Sequence, residues 1–154
     1  MGPHEIAPTE PPMPARVLVA DDYDQLRRLM CRALRAAGYD VVEAADGASA
    51  AAALAAGGFA CAVLDNRMPD PTGVMVVMAT RARGDETPVL LVSGSVTPDF
   101  LAAVGGATYL LGKPFEFEEL VAAVDRIVGK GPGRSPGDTP PPQRRRGWLS
   151  RFFR

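Results

Sequence analysis

The chain has 154 residues, 47% apolar and 23% charged, enough for one domain with a full core and some extra length. No apolar run approaches the roughly 18 residues that span a bilayer, and no basic flank leads into an apolar stretch at the start, so neither a membrane span nor a secretory leader is expected. The net charge of -1 hides an asymmetry: residues 15–130 carry 11 basic and 15 acidic side chains, whereas residues 131–154 carry six arginines and one aspartate.

Residues 1–14, MGPHEIAPTEPPMP, are proline-rich and aperiodic and read as a disordered leader. His4, the single histidine, lies there, which removes histidine-based catalysis and histidine metal clusters from consideration. From Arg16 the pattern alternates. Short β-branched or leucine-rich runs fall at 16–20, 39–43, 60–64, 88–92 and 107–111, and helix-like segments at 23–37, 47–56, 72–83, 97–104 and 116–129. In the first helical segment Leu26, Leu29, Met30, Ala33 and Leu34 keep the i, i+3, i+4 rule; in the last, Phe117, Leu120, Val121, Val124 and Val128 do. Glycines at 38, 57–58, 84, 105–106 and 129 stand where helices stop. Cys31 and Cys61 sit inside apolar segments and are expected as reduced core thiols, which favours the cytoplasm. Five strands alternating with five helices predict a doubly wound α/β domain over 15–130, its parallel sheet covered on both faces. A Pro/Gly linker at 131–143 and a basic aromatic tail at 144–154 follow.

In an open parallel sheet, ligands bind beyond the carboxyl ends of the strands. The polar residues there are Asp21 and Asp22 after the first strand, Asp65 after the third, Ser93 after the fourth and Lys113 after the fifth. Taken singly, each has an ordinary reading as a turn, cap or surface residue. Together they are three carboxylates, a hydroxyl and an ammonium at one edge. Crowded carboxylates resist ionisation, and a hard divalent cation such as Mg²⁺ relieves this with oxygen ligands. One carboxylate is then left to react. Aspartate is a known nucleophile toward phosphorus, and a metal with an ammonium would neutralise the transferring group.

The segments VLVADDYDQLRRLM, VLDNRMPDPTG, LLVSGS and GATYLLGKPF together resemble the receiver domain of two-component response regulators, the CheY fold with strand order 2-1-3-4-5. The resemblance implies that Asp65 accepts a phosphoryl group from a histidine kinase or small phosphodonor. It implies Asp22 and Asp65 as Mg²⁺ ligands, Asp21 acting largely through water, and the Arg67 backbone carbonyl completing the protein's share of the shell. Ser93 would be the switch hydroxyl, Lys113 the ion-pair partner, and the Lys113–Pro114 bond cis. The family's switch aromatic falls on Leu110, with Tyr109 on the opposite face. Either activation is read out mainly through the loop at 93–97, or the register is shifted by one residue. A haloacid-dehalogenase-type phosphatase needs a second acid where this chain has Arg67, and a dinucleotide site needs glycines where it has Asp21-Asp22-Tyr23.

With only a linker and short tail after the receiver-like segment, a single-domain response regulator that acts through a downstream protein target, with no direct DNA binding, is expected. The alternatives are a relay shuttle to a histidine phosphotransfer protein and an unphosphorylated adaptor. In the tail, Trp148, Leu149, Phe152 and Phe153 would fall in one helical arc with Arg151 and Arg154 opposite, a pattern suited to an anionic membrane surface or a protein partner.

Overall fold

The computed structural model describes residues 13–95 and 108–129. Five strands, β1 (Arg16–Ala20), β2 (Asp40–Ala44), β3 (Cys61–Asp65), β4 (Val89–Ser93) and β5 (Thr108–Gly112), form one parallel sheet in the order β2-β1-β3-β4-β5. Four helices are described: α1 (Asp24–Ala36), α2 (Gly47–Ala56), α3 (Gly73–Ala82) and α4 (Phe117–Val128). The helix expected at 97–104, the leader to residue 12, and the linker and tail lie outside the described residues.

Strand alternation divides the apolar residues between two cores. Val17, Val19, Cys61, Val63, Leu90, Val92, Tyr109 and Leu111 face α1 and α4, where they meet Met30, Cys31, Leu34, Leu120, Val124 and Ile127. Leu18, Ala20, Ala62, Leu64, Val89, Leu91 and Leu110 face α2 and α3, where they meet Ala50, Leu54, Val76 and Val77. β3 and β4 are buried along their whole length, as strands covered on both faces must be. Both cysteines are free and buried. Tyr109 and Leu110 lie in opposite cores, as alternation requires.

Helix ends follow local chemistry. The Asp46 side chain accepts from Ser49 N to start α2, and Thr72 accepts from Met75 N to start α3. Glu116 and Glu119 form a capping box on α4, which ends on Gly129 in the left-handed region at φ 81°. The strands β2 to β5 each begin and end one residue later than their apolar runs indicate, so Asp65 and Ser93 are the last residues of their strands. The buried stripe of α1 is also rotated from the expected one. It runs Arg27, Met30, Cys31, Leu34, while Leu29 is exposed. Arg27 can stand in that stripe because its charge has partners there, the Asp21 carbonyl and the Asp24 and Glu43 carboxylates.

Candidate functional site

Register brings the strand-end residues to one level. Ala20 pairs with Leu64, Asp65 with Val92, and Ser93 with Gly112, so the residues that end or follow these strands share the carboxyl edge. The Lys113 amide donates to the Ser93 carbonyl at 3.1 Å and fixes where the lysine leaves the sheet. The Lys113–Pro114 and Asp70–Pro71 bonds are cis.

Asp65 is the centre of the arrangement and is 2% exposed. Lys113 Nζ lies 2.8 Å from its Oδ1, an ion pair by distance whose angle is outside hydrogen-bond alignment. The Arg67 amide donates to its Oδ2 at 3.1 Å. Asp21, Asp22 and Asp65 each present an oxygen within 4.8 Å of the others. Asp65 also lines a cavity of about 310 Å³, together with Arg67, Ser93, Gly94, Ser95 and Lys113. Asp65 thus belongs both to an acidic cluster and to the lining of a cavity with cations and hydroxyls. Ser93 is buried, and its Oγ accepts from the Ser95 amide at 3.1 Å.

Asp21 is also buried, and its Oδ1 accepts from the Tyr23 amide at 2.9 Å. Burial pushes its carboxyl above the usual range. The Tyr23 amide opposes that shift, Asp65 and Asp22 add to it, and Lys113 acts against it. Its Oδ2 is buried without a hydrogen-bond partner. A buried carboxylate oxygen without a partner, on a residue clustered with two further carboxylates, suits a hard divalent cation, so these residues fit Mg²⁺.

Two contributors, Asn66 and Arg27, were not singled out from the sequence, and Gly73, within the VLDNRMPDPTG segment, joins Asn66 at the loop after β3. Asn66 holds the loop after β3: its Oδ1 accepts from Val74 N at 3.0 Å, and its carbonyl accepts from Met68 N and Gly73 N. Gly73 approaches so closely that a Cβ there would sit 2.6 Å from the Asp65 carbonyl oxygen. Arg27 donates to the Asp21 carbonyl from the buried stripe of α1, a place that hydrophobic spacing in the sequence did not mark. Leu110 is fully buried on the same side of the sheet as Leu91, two residues before Ser93. Trp148, Leu149, Arg151, Phe152 and Phe153 lie outside the described residues.

A family model for the response regulator receiver domain matches residues 17–125. Among curated relatives, the transcriptional regulatory protein TcrA of Mycobacterium tuberculosis is 36% identical over 119 residues, covering 76% of this chain and 47% of TcrA. The response regulator MprA of Mycolicibacterium vanbaalenii is 38% identical over 75% of this chain and 51% of its own length. The chain therefore spans about half the length of the curated relatives it matches. Among solved structures, the chemotaxis protein CheY4 of Vibrio cholerae aligns with TM-score 0.67 and 34% identity, over 74% of this chain and 98% of that one. The receiver domain of NarL from Mycobacterium tuberculosis aligns with TM-score 0.64 and 37% identity, over 73% and 94%. With the site geometry and these matches in agreement, the chain belongs to the response regulator receiver domain family of two-component signalling.

Proposed function

We propose that this receiver is a phospho-accepting switch whose acceptor is Asp65, acting through protein contacts with a histidine kinase or phosphotransfer protein and with a downstream protein target. The observation that carries the reading is that Asp65 is shared between the cluster it forms with Asp21 and Asp22 and the cavity it lines with Arg67, Ser93, Ser95 and Lys113. The Asp65 carboxylate attacks phosphorus. An Asp65 O–P bond forms and the donor's P–N bond, or the P–O bond of an acyl phosphate, breaks, with the electron pair leaving on the donor. Lys113 holds the attacking carboxylate and then meets the new phosphoryl oxygens, and the Ser93 hydroxyl donates to one of them. Asp21, Asp22, Asp65 and the Arg67 carbonyl are the proposed Mg²⁺ ligands. Bound Mg²⁺ supplies charge neutralisation on the transferring group.

A fully buried Leu110 at the place of the family's switch aromatic favours one second reading. A leucine has no ring to swing between exposed and buried positions, so a relay shuttle to a histidine phosphotransfer protein, which depends less on conformational output, is also supported. The ordered site argues against an unphosphorylated adaptor. The relatives named as transcriptional regulators are about twice the matched length, so their DNA-level output is not assigned to these residues. No described helix is long and apolar enough to cross a membrane, and the tail is proposed as a peripheral contact with anionic lipid or a protein partner.

The test is incubation with Mg²⁺ and acetyl phosphate, read by mass spectrometry. A phosphoryl mass gain that disappears in Asp65→Asn is expected. Absence of any gain in the unaltered protein, with beryllofluoride also failing to bind, would favour the adaptor. Transfer of label onto a purified phosphotransfer protein separates relay from switch.

A further inference from the structure

Arg27 is a charged side chain on the buried stripe of α1, with its side chain 10% exposed. Such a group persists only where its charge and its donors are answered. Nη1 donates to the Asp21 backbone carbonyl at 2.9 Å and lies 2.8 Å from the Asp24 carboxylate, while Nε donates to the Glu43 carboxylate at 3.1 Å. Glu43 is in turn held by Arg35 Nη2 at 3.5 Å. The residue after Glu43 completes the arrangement, because the Ala44 carbonyl accepts from the Asp21 amide at 3.2 Å. The backbone of Asp21 is therefore tied to the end of β2 twice: directly through its N–H, and through its carbonyl by way of Arg27 and Glu43.

These two ties act on the peptide planes on either side of the Asp21 Cα. They set the direction in which the Asp21 and Asp22 side chains leave the backbone. We propose that Arg27 is a positioning residue that clamps the β1–α1 loop to β2 and so aims the Asp21 and Asp22 carboxylates at the Mg²⁺ position beside Asp65. The inference rests on the metal reading above. It adds a residue that touches neither metal nor phosphoryl group.

Geometry and charge make opposite predictions here, which makes the inference testable. Arg27 is a cation near a cation site, so by charge alone its removal tightens Mg²⁺ binding. As a clamp, its removal loosens the acidic loop and weakens binding, roughly tenfold or more as for other outer-shell partners of metal sites. Lysine keeps the charge but has no planar fork with which to hold the Asp21 carbonyl and Glu43 together.

The experiment is calorimetric titration of the full chain with Mg²⁺ alone, comparing wild type, Arg27→Gln and Arg27→Lys below the melting point of each by circular dichroism. Amide chemical shifts of Asp21 and Asp22 are followed in parallel. Both variants are expected to bind Mg²⁺ about tenfold more weakly, with the Asp21 and Asp22 amides shifted before metal is added. A lowered melting temperature with an unchanged Mg²⁺ dissociation constant would reduce Arg27 to a stabilising residue and overturn the clamp. Tighter binding in Arg27→Gln, or full recovery in Arg27→Lys, would make its role one of charge and also overturn it. Wild-type protein that binds no Mg²⁺ would instead remove the metal reading on which the clamp depends.

Discussion

Replacing Lys113 and Asp65 separately and together probes whether the site is one electrostatic unit. Nζ and Oδ1 are 2.8 Å apart, so at an effective dielectric of about 20 their direct attraction is about 6 kcal/mol. Most of this is offset. Asp65 gives up its hydration on burial, while the Lys113 side chain stays 33% exposed and screened. A net coupling of about 1–3 kcal/mol is what remains. Lys113→Met is expected to destabilise the metal-free protein by about 2 kcal/mol, because Asp65 is left buried beside Asp21 with its cation gone. Asp65→Asn is expected to cost much less, since it removes one of three crowded carboxylates. In the double variant the loss of Lys113 should cost correspondingly little. Urea unfolding of the four proteins in chelator, followed by circular dichroism, gives the coupling directly. The same series in excess Mg²⁺ should stabilise Lys113→Met more than wild type, since removing a cation favours binding another. A coupling under about 0.5 kcal/mol, which is the additivity of independent sites, would refute a shared electrostatic centre.

Two further outcomes follow from packing. Gly73→Ala drives a methyl to 2.6 Å from the Asp65 carbonyl oxygen, backbone that cannot step aside cheaply; a loss of about 1–3 kcal/mol is expected. Gly94→Ala, which meets nothing within 4 Å, should leave the urea midpoint in place, and equal midpoints for the two variants would contradict the close approach. Burial raises the Cys31 thiol from its ordinary 9.0 to about 11 and the Cys61 thiol to about 12. Both are acids held protonated by the fold, so stability is unaffected well below pH 9.0 and declines as pH rises past 9.0, where only the unfolded chain ionises. Native protein at pH 8 should therefore resist a disulfide-exchange reagent until it unfolds, and prompt labelling of both thiols would count against their burial.

The alternation of strand and helix was legible because periodicity and glycine placement are local properties. The positive-φ glycines at 38, 57, 58, 84 and 129 stand where the sequence placed helix ends. The site residues were legible for a related reason: in a parallel sheet every strand ends at the same edge, so knowing the strands nearly locates the ligands. Less was legible about α1. Two overlapping stripes, one through Leu26 and Leu29 and one through Arg27 and Cys31, satisfy helical spacing equally well. Hydrophobicity alone chooses the first. The choice of the second depends on Glu43, 16 residues away, and on the Asp21 carbonyl, which carries no side-chain signature at all.

The sequence by itself determined the fold class, the order of elements and the identity of Asp21, Asp22, Asp65, Ser93 and Lys113 as a set. These follow from short-range pattern and from the chemistry of residue types. Only the tertiary structure decided that Asp65 closes β3 instead of following it, that Asp21 has one carboxylate oxygen buried without a partner, and that Arg27 grips the backbone beneath it. Those facts depend on inter-strand register and on how a helix rolls against a sheet. Both are settled by hydrogen bonds and packing between residues distant in the chain, where local propensity has no say.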